Sequence, residues 1–129
     1  MNSPQVIENK PFAVPLSTNI DERGRLVALE HLPFEMQRVF ILGDLNQDTN
    51  RACHAVSCDE FIVILSGTCQ LEIRGKQTTI NYDLNDPSIG YYIPAGLWIR
   101  LYDFSQDANI LVACSKTYDA TEYFSEPQI

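Results

Sequence analysis

Short runs rich in Val, Ile, Phe and Tyr recur about every ten residues along this chain, each closed by a turn signal. That cadence predicts an all-β protein, a sandwich or barrel of antiparallel strands. The clearest run is Phe61-Ile62-Val63-Ile64-Leu65, too short for a helix and ended by Ser66-Gly67, so it reads as a buried strand entering a turn. Cys69, Leu71 and Ile73 then alternate with Gln70, Glu72 and Arg74, the period of two that marks a half-buried strand. Further strands are expected at Arg25–Leu29, Arg38–Leu42, Thr78–Ile80, Gly90–Ile93, Leu97–Tyr102 and Asn109–Cys114. Pro94-Ala95-Gly96 makes a sharp corner, because proline fixes its own φ and glycine admits positive φ. Only the tail from Tyr118 to Phe124 is expected to coil into a short helix.

No repeat or linker divides the 129 residues, so one domain spanning 1–129 is expected. The apolar run 61–65 falls far short of the roughly 20 residues that span a bilayer, and Met1-Asn2-Ser3-Pro4 lacks the pattern of an export signal. A cytoplasmic protein with no membrane association is the expectation. Cys53, Cys58, Cys69 and Cys114 show no Cys-x-x-Cys spacing and are read as reduced thiols. Seventeen acidic against nine basic side chains give a net charge of −8, which repels a phosphate backbone and argues against nucleic-acid binding. A small anion can still be held by a few local arginines.

Asp21–Ala28, Arg38-Val39, the Arg51-to-His54 spacing and Gly90–Trp98 together resemble one family, the WxcM-like cupins that interconvert dTDP-4-keto-6-deoxyglucose and its 3-keto isomer. The resemblance rests on Asp21-Glu22-Arg23-Gly24-Arg25-Leu26-Val27-Ala28, on Arg38-Val39, on Arg51 three residues before His54-Ala55, and on Leu65-Ser66-Gly67. Its strongest block is Gly90-Tyr91-Tyr92-Ile93-Pro94-Ala95-Gly96-Leu97-Trp98, continuing through Tyr102-Asp103-Phe104-Ser105 to Tyr118-Asp119. The resemblance implies a cupin-type jelly-roll β-barrel and a homodimer that exchanges N-terminal strands, which would cover otherwise exposed sheet edges. It also implies a 3,4-ketoisomerase acting on a dTDP-linked sugar in bacterial surface-polysaccharide synthesis.

The family motif Arg-Gly-x-His-Ala-His-Lys reads Arg51-Ala52-Cys53-His54-Ala55-Val56-Ser57 here, so one histidine survives and its partner is Val56. A third family histidine is Ile99, and tyrosines that follow the Arg-Val pair are Phe40 and Ile41. With only His31 and His54, the chain falls short of three histidines and a carboxylate even with Glu60 or Asp59 added, so neither metal nor cofactor is expected. Metal-free ketoisomerisation needs a base beside the ring, and a neutral imidazole suits that task near neutral pH.

His54 is therefore the candidate catalytic residue, with an inert, packed histidine as the other reading. Alternation puts it on the inward face with Val56. Arg38 and Arg51 are candidates for gripping the pyrophosphate, or for surface ion pairs. Trp98 and Tyr102 share one strand face and are candidates for stacking on a base, or for core or interface packing. His31 reads as a solvated loop residue. Cys53 beside His54 points to the opposite face and is not expected to act as a nucleophile. Two other readings stay open: a degenerate cupin that binds a nucleotide sugar or a partner without turnover, and a related isomerase or epimerase on another nucleotide sugar.

Overall fold

The structure is a computed structural model and describes residues 9–129; Met1–Pro4, where an export signal was sought, lie outside the described residues. Among the described residues twelve strands follow one another: β1 Phe12–Pro15, β2 Ser17–Asp21, β3 Gly24–Ala28, β4 Arg38–Leu42, β5 Arg51–Val56 and β6 Glu60–Ser66. Then come β7 Cys69–Arg74, β8 Thr79–Leu84, β9 Ile89–Ile93, β10 Trp98–Tyr102, β11 Asn109–Cys114 and β12 Tyr123–Phe124. They form two five-stranded antiparallel sheets, β1-β9-β6-β11-β4 and β12-β5-β10-β7-β8, with β2 and β3 paired only to each other in a separate hairpin. The sheets face one another, and the side chains between them form the main core, as in a jelly roll.

The apolar run of β6 is unbroken because both of its faces are covered. Ile62 and Ile64 point between the sheets, where they join Leu71 and Ile73 of β7, Ile99 and Leu101 of β10, and Ile110 and Val112 of β11. Phe61 and Val63 point the other way into a second cluster with Val14, Tyr92 and Ala113, roofed by Leu29, Leu32 and Phe34. The bare backbone of Gly90 lets the Phe61 ring lie against β9, where any Cβ would strike it. Fully burying side chains of this size contributes about 1.5–3 kcal/mol each, which makes β6 the energetic centre of the first sheet.

The tail departs from the expected helix. A single 3-10 turn at Tyr118–Ala120 is followed by β12, which pairs with β5 through Tyr123↔Val56 and Phe124↔Ala55. Three residues cannot repay the cost of nucleating a helix, whereas an extended tail satisfies its backbone on an open sheet edge. Reciprocal hydrogen bonds pin it: Ser57 N–H to the Glu122 carbonyl at 3.0 Å, and Glu122 N–H to Ser57 Oγ at 2.8 Å. The cysteines are all free thiols, with Cys53 exposed and the other three buried. No helix among the described residues is long and apolar enough to cross a membrane.

Candidate functional site

A cavity of about 240 Å³ opens between the β4 edge of the first sheet and the β5–β12 edge of the second. Arg38, Phe40 and Leu42 of β4 form one wall, and Arg51, His54 and Val56 of β5 with Tyr123 of β12 form the opposite one. Glu60, Cys58 and Cys114 close the space between them. A recess of about 80 Å³ reaches further toward Ile62, Ile99 and Leu101, and shares Arg51, His54 and Glu60 with the outer cavity. Pockets for drug-sized ligands run to roughly 300–1,000 Å³. A single sugar ring fits this space; a whole nucleotide sugar does not, so its nucleotide would lie outside.

Strict alternation would place Arg51 and His54, three residues apart, on opposite faces. They share the cavity because β5 carries a bulge. Ile99 pairs with His54 and Arg100 with Ala52, leaving Cys53 as the extra residue. Ala52 and Cys53 both adopt left-handed backbone, with φ of 66° and 59°. For a residue with a Cβ that conformation costs roughly 1–2 kcal/mol. Strain is thus stored beside the site to bring an arginine and a histidine onto one face. Since Cys53 is exposed, Cys53→Gly should raise the unfolding free energy by about 1 kcal/mol in urea titration, and Cys53→Val should lower it by at least as much.

The half-buried imidazole of His54 lies 5.0 Å from the Tyr123 ring, edge to face. Burial lowers its pKa below the usual 6.5, so it is neutral at physiological pH and able to accept a proton. Arg38 lies over the faces of Phe40 and Tyr118, with its guanidinium carbon 4.6 and 5.1 Å from the ring centres. That stacking holds a fixed positive charge in the cavity wall. Arg51 is exposed at the rim.

Trp98 and Tyr102 are not brought to this site. Both lie on the outer face of the second sheet, because their neighbours Ile99 and Leu101 on β10 are the residues that enter the core. Their rings are already covered, Trp98 by Arg74 at 4.6 Å and Tyr102 by Arg100 at 3.8 Å. Glu72 links the two guanidiniums, accepting from Arg74 Nε at 2.9 Å and Arg100 Nε at 2.8 Å. The ligand-stacking role expected of this pair is therefore corrected for this cavity: a self-satisfied layer on the opposite sheet face is what they build. His31 is exposed in the connection after β3.

Glu60 is the cavity residue that the sequence reading weighed only as a metal ligand. Among the described residues no group of three or more His, Cys, Asp or Glu side chains is arranged to hold a metal ion. Asp59, considered with it, turns away and accepts the Ala95 N–H at 2.9 Å, bracing the Pro94–Gly96 corner. Glu60 faces inward in phase with Ile62 and Ile64, and its residue is 7% exposed. Burial first, and then the nearby Cys58, push its carboxyl up to about 8, against the pull of Arg38. Phase with those two isoleucines was the available signal.

Two facing antiparallel sheets with a side-chain-lined cavity at one open edge define a cupin-type jelly roll. The chain belongs to the FdtA family, described as WxcM-like, C-terminal, whose model matches residues 10–128. It is 31% identical over 124 residues to TDP-4-oxo-6-deoxy-alpha-D-glucose-3,4-oxoisomerase of Aneurinibacillus thermoaerophilus, covering 93% of this chain and 88% of the relative. Among solved structures it is similar to the WlaRB TDP-quinovose 3,4-ketoisomerase of Campylobacter jejuni, with 31% identity, a TM-score of 0.85, and 93% and 95% of the two chains covered. It is also similar to a variant of the QdtA 3,4-ketoisomerase of Thermoanaerobacterium thermosaccharolyticum in complex with TDP, with 26% identity, a TM-score of 0.86, and 94% and 90% covered.

Proposed function

We propose that this protein is a metal-independent sugar-nucleotide isomerase that interconverts the 4-keto and 3-keto forms of a dTDP-linked 6-deoxyhexose. One observation carries the reading: a neutral imidazole, His54, lines a cavity sized for one sugar ring, with Arg38 in the opposite wall and Arg51 at its rim. His54 takes the proton from the carbon beside the ketone and later returns one to the former carbonyl carbon. Arg38 and Arg51 hold the anionic part of the substrate at the mouth, where guanidinium forks suit phosphate oxygens. The family relationship supports isomerisation over a pocket that only binds. A cytoplasmic role in surface-polysaccharide synthesis belongs to the same reading, as does treating residues 1–129 as one domain. The test is incubation with dTDP-4-keto-6-deoxyglucose in heavy water. Deuterium at C3 of the recovered 4-keto sugar and at C4 of the accumulating 3-keto sugar, followed by NMR, is expected; a ligand-stabilised protein with neither outcome would refute turnover.

The same reading includes a homodimer in which each chain lends its N-terminal hairpin to the other. β1 is paired with its own chain's β9, so β2 and β3 are the strands proposed to exchange. Ile20 and Leu26 are 76% and 61% exposed, on opposite faces of a hairpin whose ladder joins no other strand. An isolated two-stranded hairpin is marginally stable in water, and covering both faces with a second copy would secure it. Sedimentation equilibrium should give twice the chain mass, and Ile20→Asp combined with Leu26→Asp should give the monomer. A wild-type monomer at micromolar concentration would rule the exchange out.

A further inference from the structure

We propose that Glu60 is the second proton carrier of this site, moving a proton between the two sugar oxygens while His54 moves the one on carbon; this rests on the isomerase reading above. Isomerising a 4-keto sugar to its 3-keto form requires two different proton transfers. One hydrogen leaves C3 and another arrives at C4. In parallel O4 must gain a proton as its carbonyl is lost, and O3 must lose one as its carbonyl forms. A single imidazole cannot serve carbon and oxygen at the same moment. Val56, which takes the place of a second histidine, offers only an apolar wall.

Glu60 enters from β6 in the first sheet and His54 from β5 in the second, and both border the outer cavity and its inner recess. A ring bound between them has one proton-carrying group from each sheet. Among the described residues no salt bridge involves Glu60, and its carboxylate accepts only the Cys114 thiol, 4.0 Å from Oε2. A buried carboxyl without a strong partner is costly when ionised, and packing alone would be better served by an apolar side chain at this position. The groups that face it are Arg38 from β4, Arg51 and His54 from β5, Cys114 from β11, Tyr123 from β12 and Cys58 from the turn before β6. Arg38 favours the carboxylate, whereas burial and Cys58 oppose it more strongly, so Glu60 is protonated at neutral pH and able to donate first. Cys58 and Cys114 share a hydrogen bond that makes the Cys58 thiolate easier to form and the Cys114 thiolate harder. Cys114 has one proton to offer, to Cys58 or to Glu60.

The sequence balances. The His54 imidazole takes the C3 hydrogen as a proton and the C3–H electron pair becomes the C3–C4 double bond. The carbonyl electron pair moves to O4, which takes the Glu60 proton to complete an enediol. Glu60, now a carboxylate, accepts the O3 proton as the C3 carbonyl forms, and the imidazolium delivers its proton to C4. Both groups end as they began. A carboxyl suits this because it has two oxygens, one to donate and one to accept, and O3 and O4 are on adjacent carbons.

The test uses the purified full-length protein with dTDP-4-keto-6-deoxyglucose across pH 5–9.5. Wild-type kcat/KM should fall on the alkaline side with an apparent pKa near 8, because Glu60 must start protonated. Glu60→Gln should lower kcat about 10²–10⁴-fold with KM within about threefold, and its residual rate should lack that alkaline limb. Glu60→Asp keeps a carboxyl and should retain the limb at a reduced rate, which covers the case of a misfolded amide variant. Cys58→Ala should keep the limb but move it to lower pH, since Cys58 helps to raise the Glu60 carboxyl. The proposal is overturned by a Glu60→Gln enzyme within threefold of wild-type kcat, by a wild-type profile flat from pH 7 to 9.5, or by loss of the limb in Cys58→Ala. If the wild type gives neither product nor C3 exchange, the isomerase reading itself has failed; a working wild type with an equally active Glu60→Gln refutes this proposal alone.

Discussion

Replacing His54 with asparagine is expected to lower isomerisation of dTDP-4-keto-6-deoxyglucose by about 10³-fold and to remove deuterium exchange at C3 to the same degree. Asparagine keeps a polar group of similar reach in the half-buried slot beside Tyr123, so the cavity wall stays but the proton acceptor is gone. Substrate binding should persist, since Arg38 and Arg51 are untouched. The variant also has a stability signature that follows from the burial of the imidazole. Burial lowers the His54 pKa below 6.5, so the unfolded chain takes up this proton before the folded one does. His54 therefore costs stability only as pH drops below about 6.5, and His54→Asn should tolerate mild acid better than wild type while matching it at pH 8. The measurements are single-turnover NMR and urea unfolding at pH 5 and 8. Undiminished C3 exchange in the variant would remove His54 from the mechanism.

The second large effect is on stability at alkaline pH. Glu60 has a folded pKa of about 8 against 4.5 for an unperturbed glutamate, so between those values the folded chain holds a proton the unfolded chain has released. Its contribution is fully present below about pH 4.5 and is lost as pH rises through about 8. The slope is on the order of 1.4 kcal/mol per pH unit, and from pH 5 to 8 the loss should reach ~3 kcal/mol. Asp21 and Asp86 do not offset it, but Cys58 does in part: its thiol, lowered to about 6 from an ordinary 9, adds stability as pH rises from about 6 toward 9. Hydrogen bonds from Arg23 and from Ser88 hold the Asp21 and Asp86 carboxyls below the usual value of 3.8, so their contribution is lost only at lower pH. Glu60→Gln should remove this loss, so its stability relative to wild type should climb from pH 5 to 8 and it should be the more stable protein at pH 9. Urea unfolding at half-unit steps checks this, and parallel curves for the two proteins would contradict it.

Much of the architecture could be read from side-chain periodicity. The strand at 61–65, the alternation of Cys69, Leu71 and Ile73, the Pro94–Gly96 corner and the strands at 38–42 and 109–114 stand where local chemistry put them, and the strand expected at 97–102 begins one residue later, at Trp98. Local pattern did not reveal β1, whose place depends on pairing with β9, or β12, whose extended form depends on the free edge of β5. The site was legible in part. Arg38, Arg51 and His54 do border one cavity, and Val56 gives it an apolar patch. Trp98 and Tyr102 were not separable from it by sequence, because which face of β10 is inward is settled by the facing sheet.

The alternation of apolar and polar residues and the placement of Gly and Pro determined the strands, their turns and the antiparallel class, since these are properties of a few neighbouring residues and their backbone preferences. Only the tertiary structure decided that two left-handed residues, Ala52 and Cys53, swing Arg51 onto the face of His54. It alone also brought Glu60 from one sheet opposite His54 on the other. A bulge is specified by how two strands register, and the ionisation of a carboxyl by how much water its surroundings exclude. Both depend on groups far apart in the chain.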